Sequence, residues 1–223
     1  QAAIDAAPAG ALIEVSTGTY NELINLTQDN LTLKSVAGAV TTIISGTAGT
    51  NEQAALVRFS ANNCTIDGFT LDHENSTAST ARIIGAKSSD GTIVKNCILQ
   101  NSQRGFGADW YGSPSNITFT GNTFNNVLRA IANTENIDGI TITNNTFTNV
   151  GNGIRLANVI GNVVVTGNIF TSIPTGYYYK VSAPTNTNSY ANLSAILTNN
   201  TFLQNASFAD VAGGSFVEGI FST

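Results

Sequence analysis

Nine residues carry a positively charged side chain: Lys34, Arg58, Arg82, Lys87, Lys95, Arg104, Arg129, Arg155 and Lys180. Six of them, Arg58, Arg82, Arg104, Arg129, Arg155 and Lys180, fall at matching places in successive stretches of the chain, and that set holds all five arginines. A guanidinium suits carboxylates because its planar fork binds them bidentately. Two cations stacked one structural repeat apart repel by roughly 1 kcal/mol even at the dielectric of water. An acidic chain, of net charge −5, has no need of such a row. Its presence points to a compensating anion or a planar polar ligand. The competing explanation is a set of ordinary surface ion pairs with Glu52, Glu74, Asp109 and Glu135.

The elements that must hold these arginines announce themselves as repeats. The motif T-(G/N)-N-x-F occurs at Thr120–Phe124, Thr143–Phe147, Thr166–Phe170 and Thr198–Phe202, and degenerate copies precede it at Lys95–Leu99 and Asp67–Leu71. The equivalent inner positions are Phe69, Cys97, Asn122, Asn145, Asn168 and Asn200, at steps of 28, 25, 23, 23 and 32 residues. A fixed motif on a varying step describes constant strands joined by loops of variable length. Each repeat opens with an alternating strand (ITFT at 117–120, ITIT at 140–143, VVVT at 163–166), then a two-residue polar turn, then a strand holding the Phe. An Asn-rich turn leads to a third strand, such as RGFG at 104–107, LRAIA at 128–132 or NGIRL at 152–156. Period-2 alternation with turn residues between means strands rather than helices.

The predicted architecture is therefore all-β, a three-sheet parallel solenoid spanning 1–223 as a single domain. Coils stack about 4.8 Å apart, so like residues form columns. Phe124, Phe147, Phe170 and Phe202, continued by Leu71 and Leu99, form an apolar stack. Asn122, Asn145, Asn168 and Asn200 form an amide stack whose members bond up and down the column. Both columns are explained by structure alone.

The opening stretch QAAIDAAPAGALIEVSTGTYNELINL, with these Asn and Phe coils, resembles the pectate-lyase-like right-handed parallel β-helix superfamily. The resemblance covers nearly the whole chain. It implies a right-handed helix of strands, a short N-terminal capping helix, and a secreted or cell-surface location. It leaves activity open, because that fold serves lyases, hydrolases, esterases, adhesins and phage spikes. It also implies that the arginine-bearing sheet is the surface along which lyases of this fold bind polyuronate. The last residues, Phe221-Ser222-Thr223, look like the start of the family's entry phrase and Gln1 like its continuation. The chain thus reads as one unit of a larger extracellular protein, with adjacent repeat domains as partners.

Alternation directs Arg58, Arg82, Arg155 and Lys180 outward, between apolar neighbours. Arg104 and Arg129 lie two residues before the inward Phe106 and Ile131, at the edge of the preceding turn. Gly105, Gly107, Ala130, Ala132 and Gly153 fall between, which predicts a shallow groove lined by arginines. Trp110 and Tyr111, with Tyr177, Tyr178 and Tyr179, are placed to stack on sugar faces or to anchor loops. Arg58, Arg82, Arg104, Asp109, Trp110, Arg129, Arg155 and Lys180 make up the expected substrate-binding set.

A lyase of the resembled family needs a basic residue, here Arg104 or Arg129, and a calcium ion held by carboxylates. Asp109 and Glu135 are the candidates for Ca2+; two acids fall short of the six to eight oxygens that ion takes. No cluster of aspartates of the kind hydrolases use is present. His73, the single histidine, sits in the polar run DHENST and reads as a solvated turn residue. Cys64 and Cys97 fall on neighbouring coils but five positions apart, roughly 16 Å. That is too far to bridge, so both read as small buried side chains.

Composition narrows the classes. Charged residues make up 10% of the chain, against a usual quarter or so. The net charge argues against nucleic acid as a partner. No apolar run is long enough to cross a bilayer, so membrane insertion is not expected. The chain lacks Met and a signal-peptide pattern, which reads as a mature form or a fragment. Three functions fit: a non-catalytic extracellular module of structural or adhesive role that binds acidic polysaccharide, a pectate-type polysaccharide lyase acting by β-elimination, and an ice-binding solenoid. The last rests on a T-x-T face at Thr118/Thr120 and Thr141/Thr143, interrupted by Lys95 and Val164.

Overall fold

The structure is a computed structural model that describes residues 1–47, 55–76, 79–108, 112–133, 136–156, 159–171, 179–181 and 195–202. It is a right-handed parallel β-helix with one short helix, Ala2–Ala6, whose Ile4 is buried beneath the first coil. The first sheet stacks eight strands: Leu12–Val15, Thr32–Ser35, Thr65–Asp67, Ile93–Lys95, Ser115–Thr120, Asp138–Thr143, Val163–Thr166 and Ala195–Thr198. The second runs from Gly18–Asn21 and Thr42–Ser45 to Ile169–Phe170 and Thr201–Phe202. The third includes Ile24–Leu26, Ala55–Phe59, Arg82–Ala86 and Tyr179–Val181.

The expected break between second and third strands disappears in the central coils. Ile98–Ala108, Thr123–Asn133 and Thr146–Leu156 are single strands of 11 residues that serve both sheets. Each bends at an asparagine in the left-handed region, Asn101 (φ 60°), Asn126 (φ 52°) and Asn149 (φ 49°). Asparagine tolerates that backbone better than any other residue with a bulky side chain. The turn the sequence implies is present, but it costs no residues outside the strand.

The core follows the motif. Leu71, Leu99, Phe124 and Phe147 are register partners and fully buried. The Phe124 and Phe147 rings stack with centroids 4.9 Å apart, and Phe147 and Phe170 at 4.5 Å. Burial of each such side chain contributes roughly 1.5–3 kcal/mol. Beside them runs the amide chain. Asn122 donates from Nδ2 to Asn145 Oδ1 (3.0 Å), Asn145 to Asn168 Oδ1 (3.0 Å), and Asn168 to Asn200 Oδ1 (3.0 Å). Each amide also caps backbone groups, Asn145 donating to Phe119 O and accepting from the Asn122 N–H. Cys97 occupies the same position one coil earlier, its N–H bonded to Asn122 Oδ1. Cys64 and Cys97 are both buried and unpaired, as the register requires.

At the corner after the first sheet the residue types alternate up the column: Gly68, Asn96, Gly121, Asn144, Gly167 and Asn199, each with positive φ. Backbone bonds tie them in sequence, from Gly68 N–H to Lys95 O, Asn96 N–H to Thr120 O, and Gly121 N–H to Thr143 O. The reason is space. A Cβ at Gly121 would meet Asn96 Oδ1 at 3.0 Å, and one at Gly167 would collide with Asn144 Oδ1. Each asparagine side chain occupies the room that the next glycine leaves.

Candidate functional site

The third sheet does not alternate strictly. Leu56 and Val57, Ile83 and Ile84, and Ala130 and Ile131 are consecutive residues that are all fully buried. The equivalent Gly105 also faces the core, since a Cβ there would press on the Phe124 ring at 2.9 Å. Two inward residues in a row separate the outward positions by three. The arginines therefore occupy two columns. One joins Arg82, Arg104, Arg129 and Asn152 by register. The other joins Asn25, Arg58 and Gly85, passes Gly107, and continues through Ala132, Arg155 and Lys180.

This geometry corrects the sequence reading at several points. Gly105 and Ala130 do not floor a groove; both face inward, and a side chain at Gly105 would run into Ala130 O and the Phe124 ring. Arg58 is four coils from Arg155 in its column, about 19 Å at the ordinary strand spacing. Arg82 is only 3% exposed. Its Nη1 donates to Gly107 O (3.1 Å) and Ala108 O (2.6 Å), and its Nε to Thr80 O (3.4 Å). The Arg82 side chain lies over Gly107, where an added Cβ would meet Nη1 at 3.6 Å, an ordinary van der Waals contact. Arg82 fastens the end of the next strand and does not face solvent. Asp109, Trp110, Glu135, Glu52, Tyr177 and Tyr178 lie outside the described residues. Lys180 is placed by its backbone beside Arg155.

What remains together is a patch of Arg104, Arg129 and Arg155, each half-buried. Burial holds the Arg104 guanidinium below its ordinary pKa, and the charges of Arg129 and Arg155 push it the same way. Arg104 Nε is buried without an acceptor. Among the described residues no carboxylate pairs with any of the three; the side-chain ion pair found is Lys95–Asp67 at 3.5 Å. Glu74, expected as one partner, accepts a bond from Ser45 Oγ (2.7 Å). Buried polar atoms of this kind are normally satisfied. The patch offers three forked donors, partly desolvated, with one donor unused. Among the described residues no group of three or more His, Cys, Asp or Glu side chains could hold a metal ion.

His73 departs most from expectation. It is fully buried, and its Nδ1 lies 3.0 Å from Ser102 Oγ. The strand Thr70–Ser76 carries a bulge: Asp72 pairs with Gln100 and Ser76 with Ser102, so three residues face one. Glu74 and Asn75 turn back through positive φ (53° and 56°), which tucks the imidazole inward. Asp72 closes the outside of the same bulge. Its carboxylate accepts from Gln100 Nε2 (2.7 Å), Asn101 Nδ2 (2.9 Å) and the Glu74 N–H (2.9 Å). The signal in the sequence was the extra length of DHENST relative to QNS at 100–102, which polarity masked.

No protein-family model matches this sequence, and no curated protein does. Solved structures do match by shape. A pectin methylesterase in complex with a hexasaccharide aligns with TM-score 0.56 and 15% identity, over 91% of this chain and 75% of that one. Pectin methylesterase PemA from Erwinia chrysanthemi gives 0.54 and 12%, over 91% and 74%. An alginate lyase of the PL6 family gives 0.50 and 14%, over 91% of this chain and 38% of the lyase. Identities this low establish a shared right-handed β-helix and nothing about chemistry.

Proposed function

We propose that this chain is an extracellular β-helix module that binds acidic polysaccharide on the face carrying Arg104, Arg129 and Arg155, in a structural or adhesive role. The observation that carries the reading is the patch itself: three half-buried guanidinium groups with no ion pair among the described residues and a buried Nε with no acceptor. Paired carboxylates of a uronate chain satisfy this geometry, each taking a fork. The similar folds that act on pectin and alginate keep a polysaccharide as the first partner to test. The secreted or cell-surface location and neighbouring domains of the same polypeptide belong to this proposal.

The lyase alternative makes Arg104 or Arg129 the base, with Asp109 and Glu135 offered to Ca2+. The lowered pKa of Arg104 has the right direction for a base. One experiment separates the two readings. Wild type and the Arg104→Ala/Arg129→Ala double variant are offered polygalacturonate and alginate with calcium. Binding is followed calorimetrically and the unsaturated product by absorbance. The module reading expects binding, a loss of at least tenfold in affinity in the variant, and no product from either protein. Product from wild type that vanishes in the variant makes the chain a lyase. A wild type that ignores both polymers, with a markedly less stable variant, makes the arginines structural.

A second reading gains one specific observation. Thr120, Thr143, Thr166 and Thr198 form an unbroken column on the first sheet. Their hydroxyls are bonded, Thr143 to Thr120 at 3.0 Å and Thr166 with Thr198 at 2.9 Å. The adjacent column, Thr118, Thr141, Val164 and Ile196, stays β-branched and uncharged, so its rotamers are stiff. That regular array is what an ice surface would need. Ice crystals that grow unshaped in the protein's presence would end this reading.

A further inference from the structure

We propose that His73 is an acid-sensitive positioning residue for the arginine patch: proton uptake at its ring loosens the strand that carries Arg104 and weakens binding of acidic polymers. The inference rests on the acidic-polysaccharide reading for its binding consequence, but its structural part stands apart from that reading.

The connection is a chain of three groups. His73 Nδ1 lies 3.0 Å from Ser102 Oγ, and the Arg104 backbone N–H donates to the same Oγ at 3.3 Å. Ser102 is itself buried. Its oxygen accepts from Arg104, and in the neutral tautomer whose Nδ1 carries no proton the hydroxyl donates to the ring. A protonated ring reverses this. Nδ1 becomes a donor, so it and the Arg104 N–H converge on the two lone pairs of one oxygen, and the hydroxyl has to turn its proton away from the ring. The hydroxyl proton then has no acceptor in that line. The bulge makes the reversal mechanical, because a three-for-one excursion through two left-handed residues has fewer ladder bonds to hold it than the flanking coils.

Among the described residues, the charges near the ring come from its own strand and the strand above. Asp72 and Glu74, on its own strand, favour the protonated form, but burial outweighs them and pushes the imidazole below its ordinary pKa. The strand beneath, Thr42–Ser45, brings hydroxyls and apolar groups. The strand above, Ile98–Ala108, brings Ser102 and Arg104. The thiols of Cys64 and Cys97 in the core are held neutral, since burial raises both. The linkage sign follows. The ring is neutral when folded and takes a proton more readily when unfolded. Its contribution to stability is full above the unfolded value near pH 6.5 and is lost as the pH falls through the lower folded value.

The protein has one histidine, so the imidazole gives a single assignable signal. The full chain is titrated by NMR from about pH 7.5 to about pH 4.5, the range in which a histidine changes charge. The Arg104 amide is followed alongside the ring. Affinity for an oligogalacturonate is measured at both ends, with Arg104→Ala as the reference for a lost site. The proposal expects the Arg104 amide to shift with the same midpoint as the ring, and affinity to fall at least fivefold across it. His73→Gln, which keeps a bond to Ser102 but takes no proton, removes both effects. An Arg104 amide indifferent to the ring's titration overturns the proposal, and so does a ring that titrates at its ordinary value while affinity stays constant. If His73→Gln does not fold, the wild-type amide and affinity data decide alone. If wild type binds no oligogalacturonate at any pH, the polysaccharide reading fails, and the Arg104 amide still decides the positioning claim.

Discussion

Two charged columns run up the same solenoid at the same spacing, and they are built on opposite rules. On the first sheet Glu14, Lys34, Asp67 and Lys95 are successive register partners. Signs alternate, Lys95 reaches Asp67 at 3.5 Å, and Asn96 Nδ2 adds a bond to the same carboxylate at 2.8 Å. On the third sheet Arg82, Arg104 and Arg129 are successive partners with one sign. The first column cancels itself coil by coil. The second disposes of one charge by turning Arg82 onto backbone carbonyls, and leaves Arg104 and Arg129 facing each other. Since the fold offers alternation freely, like charges on the third sheet are not a by-product of stacking. Under the proposed function they mark the surface that an external counter-charge would meet.

The largest test attacks the premise that both columns are in register. Asn145→Ala removes the amide that serves the Asn122 N–H, the Asn122 side chain and Phe119 O. Each buried group so orphaned costs about 1–3 kcal/mol, and the urea midpoint should fall accordingly. Asn125→Ala, half-buried on the second sheet, should change stability by no more than about 0.5 kcal/mol. Equal midpoints for the two would break the comparison at its root. The next test rewrites one column by the rule of the other. Arg129→Glu sets opposite signs at the Arg104 step of the third sheet. Stability should rise by up to about 1 kcal/mol, the ceiling for exposed pairs, while affinity for acidic glycans drops tenfold or more. A loss of stability instead would mean that Arg129 already has a stabilising partner. Smaller still is Lys95→Ala, which removes one self-cancelling pair and should cost about 0.5 kcal/mol, an effect that salt erases by screening within about 10 Å at 0.1 M. The least perturbing check uses the thiols beside that column. Cys64 and Cys97 should titrate as two free thiols in denaturant and stay unreactive in the native state, where burial pushes Cys97 up to about 12. A mapped Cys64–Cys97 bridge would require the Asp67 and Lys95 coils to have slipped.

The coil architecture was readable because its columns repeat: a Phe and an Asn at a 23-residue step have one explanation, and the register confirms it at Phe124, Phe147 and Phe170. The site was readable only in part. Alternation gave Arg82 an outward direction, but whether an outward arginine is exposed depends on its neighbours, and the Gly107 and Ala108 carbonyls on the next coil hold this one flat. Period-2 reasoning also failed where two consecutive residues turn inward, which put Arg82 in the column of Arg104 and Arg129 and out of that of Arg58 and Arg155. His73 was misread for a related reason. Polarity of a run predicts solvation only if the run has the length of its partners, and two extra residues in DHENST folded the imidazole into the core. Each error came from inferring exposure locally in a molecule whose surfaces are built between coils.

The alternation of Gly68, Asn96, Gly121, Asn144, Gly167 and Asn199 carries a consequence for how such a chain can lengthen. Along this corner the coils have parity: an odd coil lends a side chain and an even coil lends the room for it. Deleting or duplicating one coil sets glycine over glycine or asparagine over asparagine at the join. Deleting or duplicating two adjacent coils, such as the stretch from Gly121 to the residue before Gly167, keeps the match there. The length change that this corner accommodates without a mismatch is thus a pair of turns, although the eye finds a motif in every single one.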